Sequence, residues 1–282
     1  MKLGIVGSGF VGKASKTLEN DDLQILSYDI NPDLCSPKGT TLQDIGQCDL
    51  IFVSVPTPMS SDGSVHLKIV ESVVEDLNKV ILPTSHIVIR STCPPGTCER
   101  LDTYFMPEFL TEANYIIDFI NCELWIFGLK GDPKTDNDFK QKVTNMICSA
   151  QRHGKIKHSN IQFTTNTEAE IIKYFRNTYL ATKVSFCNEM SEFCEKIGVN
   201  YDNVRNVACL DKRIGLSHSA VPGFDGHKGF GGTCFPKDTI GLKREFDKIG
   251  LKSYVLKAIV ERNEEVDRPE KDWAKDVGRA VV

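Results

Sequence analysis

The stretch "KLGIVGSGFVGKA", residues 2–14, joins an apolar run to three glycines in GxGxxG spacing. The apolar run predicts a buried strand, and the residues around the last glycine predict a helix. The first glycine permits a tight turn, the second lets a pyrophosphate approach the backbone, and the third allows close packing of helix on strand. The stretch therefore indicates a dinucleotide site, whose expected contacts are Gly7, Gly9, Phe10, Val11 and Gly12.

A carboxylate ends the second apolar run, "LQILSYD", at Asp29, seventeen residues after Gly12. At the end of that strand it can bind both hydroxyls of an adenosine ribose, and it would repel a 2′-phosphate. The spacing therefore favours NAD over NADP as the cofactor. The alternative interpretation is that Asp29 only forms the turn before "INPD".

Further apolar runs alternate with helical patterns up to about Thr165. They predict an α/β fold that begins with a Rossmann-like, doubly wound parallel sheet in residues 1–165. Two of the runs end in the loops "PTP" (56–58) and "STCPPGT" (91–97), at the sheet edge where such folds bind ligands. The candidate contacts there are Pro56, Thr57, Ser91 and Thr92. Proline-rich turns also end strands for geometric reasons, so both interpretations stay open.

The pattern changes at "TEAEIIKYFRNTYLATKVSFCNEMSEFCEKIGV" (167–199), which predicts one long helix within an all-α domain of residues 166–282. We expect Thr167 to cap the start of this helix and Gly198 to end it. One apolar stripe at helical spacing is expected to pack against its own domain. The stripe comprises Ile171, Phe175, Tyr179, Phe186, Met190, Phe193 and Ile197.

Lys173 and Asn177 lie one turn apart on the opposite face of this helix, which also carries Leu180 and Val184. A helix that is apolar on two sides is covered on both. The amine and the amide are therefore expected to line a pocket. The alternative is that the Lys173 side chain extends to water near the helix start.

The charge balance favours a small-molecule partner. Thirty-four basic and thirty-eight acidic side chains leave a net charge of −4, without a basic block that would indicate a nucleic acid or a membrane surface. The sequence begins directly with a strand pattern and has no apolar leader, so a cytoplasmic protein is expected. Ten cysteines at irregular spacings predict neither a disulfide framework nor a metal site.

Cys234 stands apart from the other cysteines because it lies in "GFGGTCFPKD" (229–238). Its glycines let the backbone come close to another group, and a helix is expected to begin near the cysteine, with Lys237 in its first turn. A helix start and a nearby cation lower the pKa of a thiol and make it a nucleophile. Beside a dinucleotide site, this chemistry suggests oxidation of an aldehyde through a covalent thiohemiacetal. The alternative is a buried cysteine in a glycine turn.

Glu108 and Glu112 lie four residues apart in "MPEFLTEA" (106–113). This spacing predicts that both carboxylates share one side of a helical turn. Ordinary surface glutamates show the same spacing, so the pattern alone does not make either one catalytic.

Seven motifs in order resemble the UDP-glucose/GDP-mannose dehydrogenase family: "GSGFVG", "VSVPTP", "STCPPGT", "PEFLTE", "AEIIKYFRNTYLATKVSFCNE", "DKRIG" and "GFGGTCFPKD". The resemblance covers almost the whole chain. It implies a four-electron, NAD-dependent oxidation of the C6 alcohol of a nucleotide sugar to a carboxylate, most simply UDP-glucose to UDP-glucuronate. It also implies a homodimer built around the long helix.

The resemblance implies a role for each matching position. Lys173 and Asn177 stabilise the developing oxyanion, and Cys234 carries the covalent intermediates. Asp238 positions or activates water, and Glu108 assists thioester hydrolysis. The substrate-region positions are Glu112, Lys237, Phe230, Gly231 and Arg213, the last of which reaches the substrate of a neighbouring subunit.

The chain also departs from the family pattern. Met106 stands where asparagine is usual before "PEF", and Ala113 stands where glycine is expected after "FLTE", so we expect the substrate loop to differ in shape. The family pattern continues into a third domain that grips the nucleotide, whereas this sequence ends at Val282. Three interpretations stay open: the chain is a fragment, another polypeptide supplies that domain, or a smaller protein has kept the chemistry and handles the nucleotide differently.

Two other functions remain open at the level of sequence. A two-electron β-hydroxyacid dehydrogenase shares the dinucleotide domain, the helical domain and a helix-borne lysine with asparagine, but it needs no thiol. The other is a dimeric, non-catalytic protein that binds NAD or a partner.

Overall fold

The computed structural model describes all residues from Met1 to Val282, which form two units. The first unit comprises Met1–Thr57 and Leu67–Lys173. The second comprises Pro58–His66 and Tyr174–Val282. The functional division into domains at residues 165 and 166 stays a prediction.

The apolar runs of the first half form one seven-stranded sheet in the order β2-β1-β3-β4-β5-β6-β7. The strands are β1 (Lys2–Val6), β2 (Gln24–Tyr28), β3 (Leu50–Val53), β4 (His86–Ile89), β5 (Tyr104–Phe105), β6 (Trp125–Leu129) and β7 (Ile161–Thr165). The first five strands are parallel, so their carboxyl ends lie along one edge. Strand β6 runs antiparallel to β5, and β7 is parallel to β6. The predicted Rossmann-like sheet is confirmed.

Helices cover both faces of this sheet because its strands are apolar on both sides. Along β3, Leu50 and Phe52 belong to one buried cluster, whereas Ile51 and Val53 belong to a second. The helices of the first unit are α1 (Phe10–Ser15), α2 (Leu42–Gly46), α3 (Lys68–Asn78), α4 (Thr97–Arg100), α5 (Tyr115–Ile120) and α6 (Pro133–Arg152). The doubly wound arrangement is therefore confirmed as well.

The long helix α7 spans Asn166–Lys196. Its end is as predicted, because Gly198 adopts φ +75° and Val199 N–H donates to the Cys194 carbonyl. The predicted cap at Thr167 is wrong. The capping hydroxyl belongs to Thr165, which accepts from the Glu168 N–H at 3.2 Å, while the Glu168 carboxylate accepts from the Thr165 N–H at 2.9 Å. This reciprocal pair is a capping box, and it starts the helix earlier.

The second unit is helical, as predicted. After the second-unit part of α7 come α8 (Tyr201–Ala208), α9 (Phe235–Lys248) and α10 (Tyr254–Arg262), and α10 continues into a π-helical turn (Asn263–Asp267). A small apolar core of Ala181, Phe230 and Ile259 packs α7 against α10 and the chain before α9. None of the helices of the chain combines the length and the apolar character that crossing a bilayer requires.

The predicted packing of the α7 apolar stripe is wrong. Phe175, Tyr179, Phe186, Phe193 and Ile197, which we call the aromatic stripe, are each between 56% and 68% exposed. Ile171 is also exposed, and Met190 is half-buried. The opposite face is buried instead, including Tyr174 and Ala181. Periodicity indicated the correct two faces, but it does not say which face a chain covers with its own residues.

The predicted helical turn at Glu108 and Glu112 is also wrong. Met106 N–H pairs with the Ile89 carbonyl at the end of the sheet, so the chain is still extended where it enters Pro107. The residue before a proline is disfavoured in the helical conformation. Regular helix begins only at Tyr115, and both glutamates lie in an irregular loop.

The capping box makes a prediction about the start of α7. Thr165→Ala should lower the free energy of unfolding by about 1 kcal/mol, because the N–H of Glu168 loses its acceptor. Thr167→Ala, two residues away, is the matched control and should change it by less than about 0.5 kcal/mol. Urea unfolding followed by circular dichroism measures both. An effect of Thr167→Ala as large as that of Thr165→Ala would contradict the assignment.

Candidate active site

The turn between β1 and α1 has the geometry that its three glycines predict. Gly7 adopts φ +94°, and a Cβ built on Gly12 would lie 2.0 Å from the Gly7 carbonyl oxygen. Both positions therefore require glycine for the fold itself. A Cβ on Gly9, in contrast, would meet no atom within 4 Å. Gly9 leaves open space above the turn, which is where a pyrophosphate is expected, and Phe10 and Val11 begin α1 directly after it.

Asp29 follows β2 and is tied to the same turn. One of its carboxylate oxygens accepts from Ser8 N–H at 2.7 Å, and the other accepts from Asn31 N–H at 3.0 Å. The turn interpretation of Asp29 is therefore observed. It leaves the ribose interpretation open, because each carboxylate oxygen can accept a second hydrogen bond. Asp29 also lines an open cleft of about 420 Å³, together with Ile30, Cys35, Thr40 and Leu42. These residues fit the adenosine end of a dinucleotide.

The loops after β3 and β4 reach the same edge of the sheet. Thr57, Ser91 and Thr92 are buried, whereas Pro56 is exposed. The Ser91 hydroxyl donates to the Val55 carbonyl at 2.6 Å and so joins the two loops. The four residues predicted from sequence thus lie in two adjacent loops at the carboxyl edge, and their contact with a cofactor stays a prediction.

In the first unit, Lys173 and Glu108 form a buried ion pair. The Lys173 amine lies 2.6 Å from the Glu108 carboxylate and 2.7 Å from the Glu108 carbonyl oxygen. The amine also lies 5.7 Å from the centre of the Phe109 ring. Both charged side chains are more than nine-tenths buried. The interpretation that Lys173 extends to water is therefore wrong, because its charge is neutralised inside the unit.

In the second unit, the Asp238 carboxylate accepts hydrogen bonds from two other predicted site residues. The Asn177 amide donates to one Asp238 oxygen at 2.6 Å, and the Lys237 amine donates to the other at 2.7 Å. Asp238 is fully buried, and the other two are more than nine-tenths buried. The amide of Asn177 and the carboxylate of Asp238 are thus held in fixed orientation, and Lys237 has a carboxylate as its direct partner.

Cys234 is the N-cap residue of α9, as predicted, and its side chain is half-buried. The peptide N–H groups of the first turn of a helix create positive potential at this position. Phe235 and Pro236 follow as the first helical residues, and Pro236 needs no hydrogen-bond acceptor there. The Cys234 thiol therefore lies at the positive end of the α9 dipole.

The glycines before Cys234 approach two side chains that the sequence analysis missed. A Cβ on Gly229 would lie 2.4 Å from Asn263 Oδ1, and a Cβ on Gly231 would lie 1.6 Å from Arg268 Nη1. The glycines signalled a close approach, but no motif indicated that its partners lie more than thirty residues further along the chain. Phe230 lies between them with its ring in the core and both of its backbone groups bonded to Asn263, so its contact with substrate stays a prediction.

Two predicted substrate residues are not brought into these clusters. Arg213 is exposed and forms a bidentate ion pair with Asp211, whose carboxylate lies 2.5 Å from its Nη2. Glu112 is exposed in the loop before α5. Their roles toward substrate stay predictions.

One group of side chains has donor atoms close enough to hold a metal ion. The thiols of Cys93 and Cys98 and a carboxylate oxygen of Glu170 lie within 4.8 Å of one another. The Glu170 carboxylate accepts from the N–H groups of Gly96 and Cys98, and so it already anchors the start of α4. Burial raises the pKa of both thiols, which opposes the thiolate form that a metal would need. The group is explained by its structural contacts.

The first unit has a dinucleotide-type sheet. The second unit is helical and holds a buried lysine, asparagine and aspartate and a helix-capping cysteine. Together these features define the class of two-unit, NAD-dependent dehydrogenases. Residues 38–147 match the NAD binding domain of the UDP-glucose/GDP-mannose dehydrogenase family. Residues 167–265 match the central domain of the same family. The chain belongs to the UDP-glucose/GDP-mannose dehydrogenase family, as its motifs predicted.

Individual relatives agree with this assignment. The chain is 28% identical to a UDP-glucose 6-dehydrogenase of Rickettsia typhi over 93% of its own length and 67% of the relative's. Its structure resembles a UDP-glucose dehydrogenase from Pyrobaculum islandicum with a TM-score of 0.78 and 26% identity, over 93% of this chain and 68% of that one. The chain thus spans about two thirds of the length of these relatives.

A solved 3-hydroxyisobutyrate dehydrogenase from Mycobacterium tuberculosis shares the fold over nearly the full length of both proteins. The alignment covers 99% of this chain and 96% of that one, with a TM-score of 0.71 and 13% identity. This likeness concerns the fold alone.

The glycine turn makes a paired prediction. Gly9→Ala should preserve the fold but weaken NAD binding by about tenfold or more, because its methyl group occupies the open space above the turn. Gly12→Ala should lower the unfolding temperature, because its methyl group would collide with the Gly7 carbonyl oxygen. Calorimetric titration with NAD and thermal unfolding separate the two effects. Unchanged NAD affinity in Gly9→Ala would exclude this placement of the cofactor.

Proposed function

We propose that the chain catalyses an NAD-dependent, four-electron oxidation of the C6 alcohol of a nucleotide sugar, with UDP-glucose as substrate and UDP-glucuronate as product. The observation that carries this proposal is the position of Cys234, a half-buried thiol at the start of α9, one turn before Asp238. A two-electron oxidation needs no such nucleophile. The names of the relatives support UDP-glucose as the first substrate to test.

The first unit has residues that fit NAD. The open space above Gly9 would hold the pyrophosphate, and Asp29 in its cleft would hold the ribose hydroxyls. When bound, NAD accepts one hydride at each of the two oxidation steps. The buried hydroxyls of Ser91 and Thr57 lie in the loops at the carboxyl edge of the sheet, where they would line the edge of the cofactor site.

The first oxidation would convert C6–OH into an aldehyde, with the proton taken by a base and the hydride by the bound cofactor. We assign the amine of Lys173 and the amide of Asn177 to the developing oxyanion, because both are hydrogen-bond donors on one face of α7, one turn apart. Their buried carboxylate partners hold them in place before substrate binds. Preorganised donors of this kind avoid reorganisation during the reaction.

In the second oxidation, Cys234 Sγ adds to the aldehyde carbon and forms a thiohemiacetal. Loss of the second hydride turns this adduct into a thioester. Water then attacks the thioester carbonyl and releases the carboxylate and the Cys234 thiol. Asp238 is assigned to orient this water, and Glu108 to assist its deprotonation. The substrate positions are assigned to Glu112, Arg213, Lys237, Phe230 and Gly231, and the reaction is assigned to the cytoplasm.

The stoichiometry of NADH tests this function. With UDP-glucose in limiting amount and excess NAD, the chain should form two NADH per sugar. Cys234→Ser should abolish turnover of the alcohol to the acid, because an oxygen at this position forms no thioester. The control is Cys148→Ser, which alters another half-buried thiol. It should leave both the rate and the stoichiometry unchanged.

Other stoichiometries would point elsewhere. One NADH per molecule of a β-hydroxy acid, with no dependence on Cys234, would favour a two-electron β-hydroxyacid dehydrogenase. NAD binding without NADH from UDP-glucose, GDP-mannose or a UDP-N-acetyl sugar would favour the non-catalytic alternative.

We further propose that the aromatic stripe is the contact surface of a homodimer. Five large apolar side chains, each more than half exposed, follow one face of α7. Phe175 and Tyr179 already stack with their rings nearly parallel, at 4°. Contiguous apolar surface of this kind is characteristic of a protein interface. A second copy of the chain fits because an identical helix offers the same side chains, as a two-fold interface requires.

Sedimentation velocity at micromolar concentration tests the dimer. The chain should sediment as a dimer, and Phe186→Glu should convert it to a monomer, because a charge would be buried in an apolar interface. Phe224→Glu is the control, since Phe224 is almost fully exposed and lies in a loop outside the stripe. A monomeric wild-type chain, or a Phe186→Glu variant that stays dimeric, would overturn the proposal.

A further inference from the structure

Two buried side chains fix the path of the loop that precedes Cys234. We call residues 228–231 the clamped loop. Asn263 and Arg268 are each 1% exposed, and they occupy the space beside Gly229 and Gly231 that side chains at those positions would fill. The glycines therefore allow the loop backbone to lie close to the Asn263 and Arg268 side chains within the second unit. Their lack of a side chain is what lets the amide and the guanidinium reach the loop backbone.

The Asn263 side chain forms hydrogen bonds with both backbone groups of Phe230. Its Oδ1 accepts from Phe230 N–H at 2.8 Å, and its Nδ2 donates to the Phe230 carbonyl at 2.9 Å. Another amide, that of Asn188 on α7, accepts from Gly229 N–H at 3.1 Å. These contacts satisfy buried backbone groups that no strand or helix would satisfy here. They hold the loop backbone in the observed conformation.

Arg268 holds the loop from the other side. Its Nε donates to the Lys228 carbonyl at 3.1 Å, and its Nη2 lies 2.5 Å from the Asp225 carboxylate. Its Nη1 lies 3.4 Å from Asp272. Although burial opposes ionisation of Asp225, the bond from Arg268 lowers the pKa of that carboxyl. A planar fork with donors in three directions is specific to arginine, and a lysine cannot reproduce it.

The π-helical turn places both residues on the loop. In an α-helix, side chains five residues apart point about 140° away from each other. The wider turn closes with Arg268 N–H donating to the Asn263 carbonyl at 2.8 Å, across five residues. Asn263 begins this turn and Arg268 follows it as the C-cap residue, and both contact the clamped loop. Such turns cost stability relative to regular helix and recur at functional sites.

We propose that Asn263 and Arg268 are positioning residues for the Cys234 nucleophile, because they clamp the loop that leads into α9. Only Gly232 and Thr233 separate the clamped loop from Cys234, and Gly232 adopts φ +70° with open space around it. The clamp limits the freedom that consecutive glycines would otherwise give the thiol. The chemical consequence rests on the proposed function, since a misplacement of about 1 Å can cost about 100-fold in rate.

Arg268→Lys and Asn263→Ser test the clamp in the full chain. We expect both variants to fold, to keep KM for NAD within about twofold, and to lose kcat by about 100-fold, because only the geometry of the thiol changes. A second readout needs no turnover: the rate constant for alkylation of Cys234 Sγ by iodoacetamide, followed by mass spectrometry of its peptide. We expect it to change at least about threefold. Arg205→Lys is the matched control, because Arg205 bonds Ser219 and Asp202 and not the loop.

The possible outcomes separate the two proposals. Folded variants with wild-type kcat and wild-type alkylation of Cys234 would overturn the clamp, as would losses equal to those of Arg205→Lys. If Arg268→Lys does not fold, Gly231→Ala decides instead, because it keeps the guanidinium and displaces the loop by a methyl group. A wild-type chain that forms no NADH would refute the proposed function, whereas the alkylation rates would still report on the clamp.

Discussion

Burying an ionised side chain is costly unless a group of opposite charge or a set of hydrogen bonds compensates it, and this constraint accounts for three charged side chains in the interiors of the two units. Lys173 is neutralised by Glu108 in the first unit, and Lys237 by Asp238 in the second. Arg268 is neutralised by Asp225 and Asp272. Removing Glu108 or Asp238 would leave a buried lysine charge without its carboxylate partner. The arrangement therefore restricts each of these side chains to one orientation.

The same constraint links stability to the proposed chemistry. Groups that must stabilise an oxyanion or orient water are most effective when they do not move during the reaction. In this chain buried partners provide this orientation. Glycines contribute through the absence of a side chain. A side chain would collide with another part of the same unit at each of four positions: Gly7, Gly12, Gly229 and Gly231.

The aromatic stripe shows that helical periodicity alone does not predict which face of a helix is buried. A period of 3.6 residues identifies faces of a helix, and it correctly separated the Phe175 face from the Asn177 face. Burial depends on what packs against each face, and that is a property of distant residues or of another chain. The same limit applies to Thr167, because the choice of Thr165 as the cap depends on the Glu168 carboxylate folding back over the helix start.

The sequence by itself determined the elements and the types of the site residues, because these depend on local spacing: the glycine turn, the strand that ends before Asp29, the helix stop at Gly198 and the start of a helix at Cys234. It also determined the family, through motifs that follow one another in order. Only the tertiary structure decided the partners. Glu108 with Lys173 and Asn177 with Asp238 are each more than sixty residues apart. Such pairs depend on how whole elements pack, and neither propensity nor periodicity carries that information.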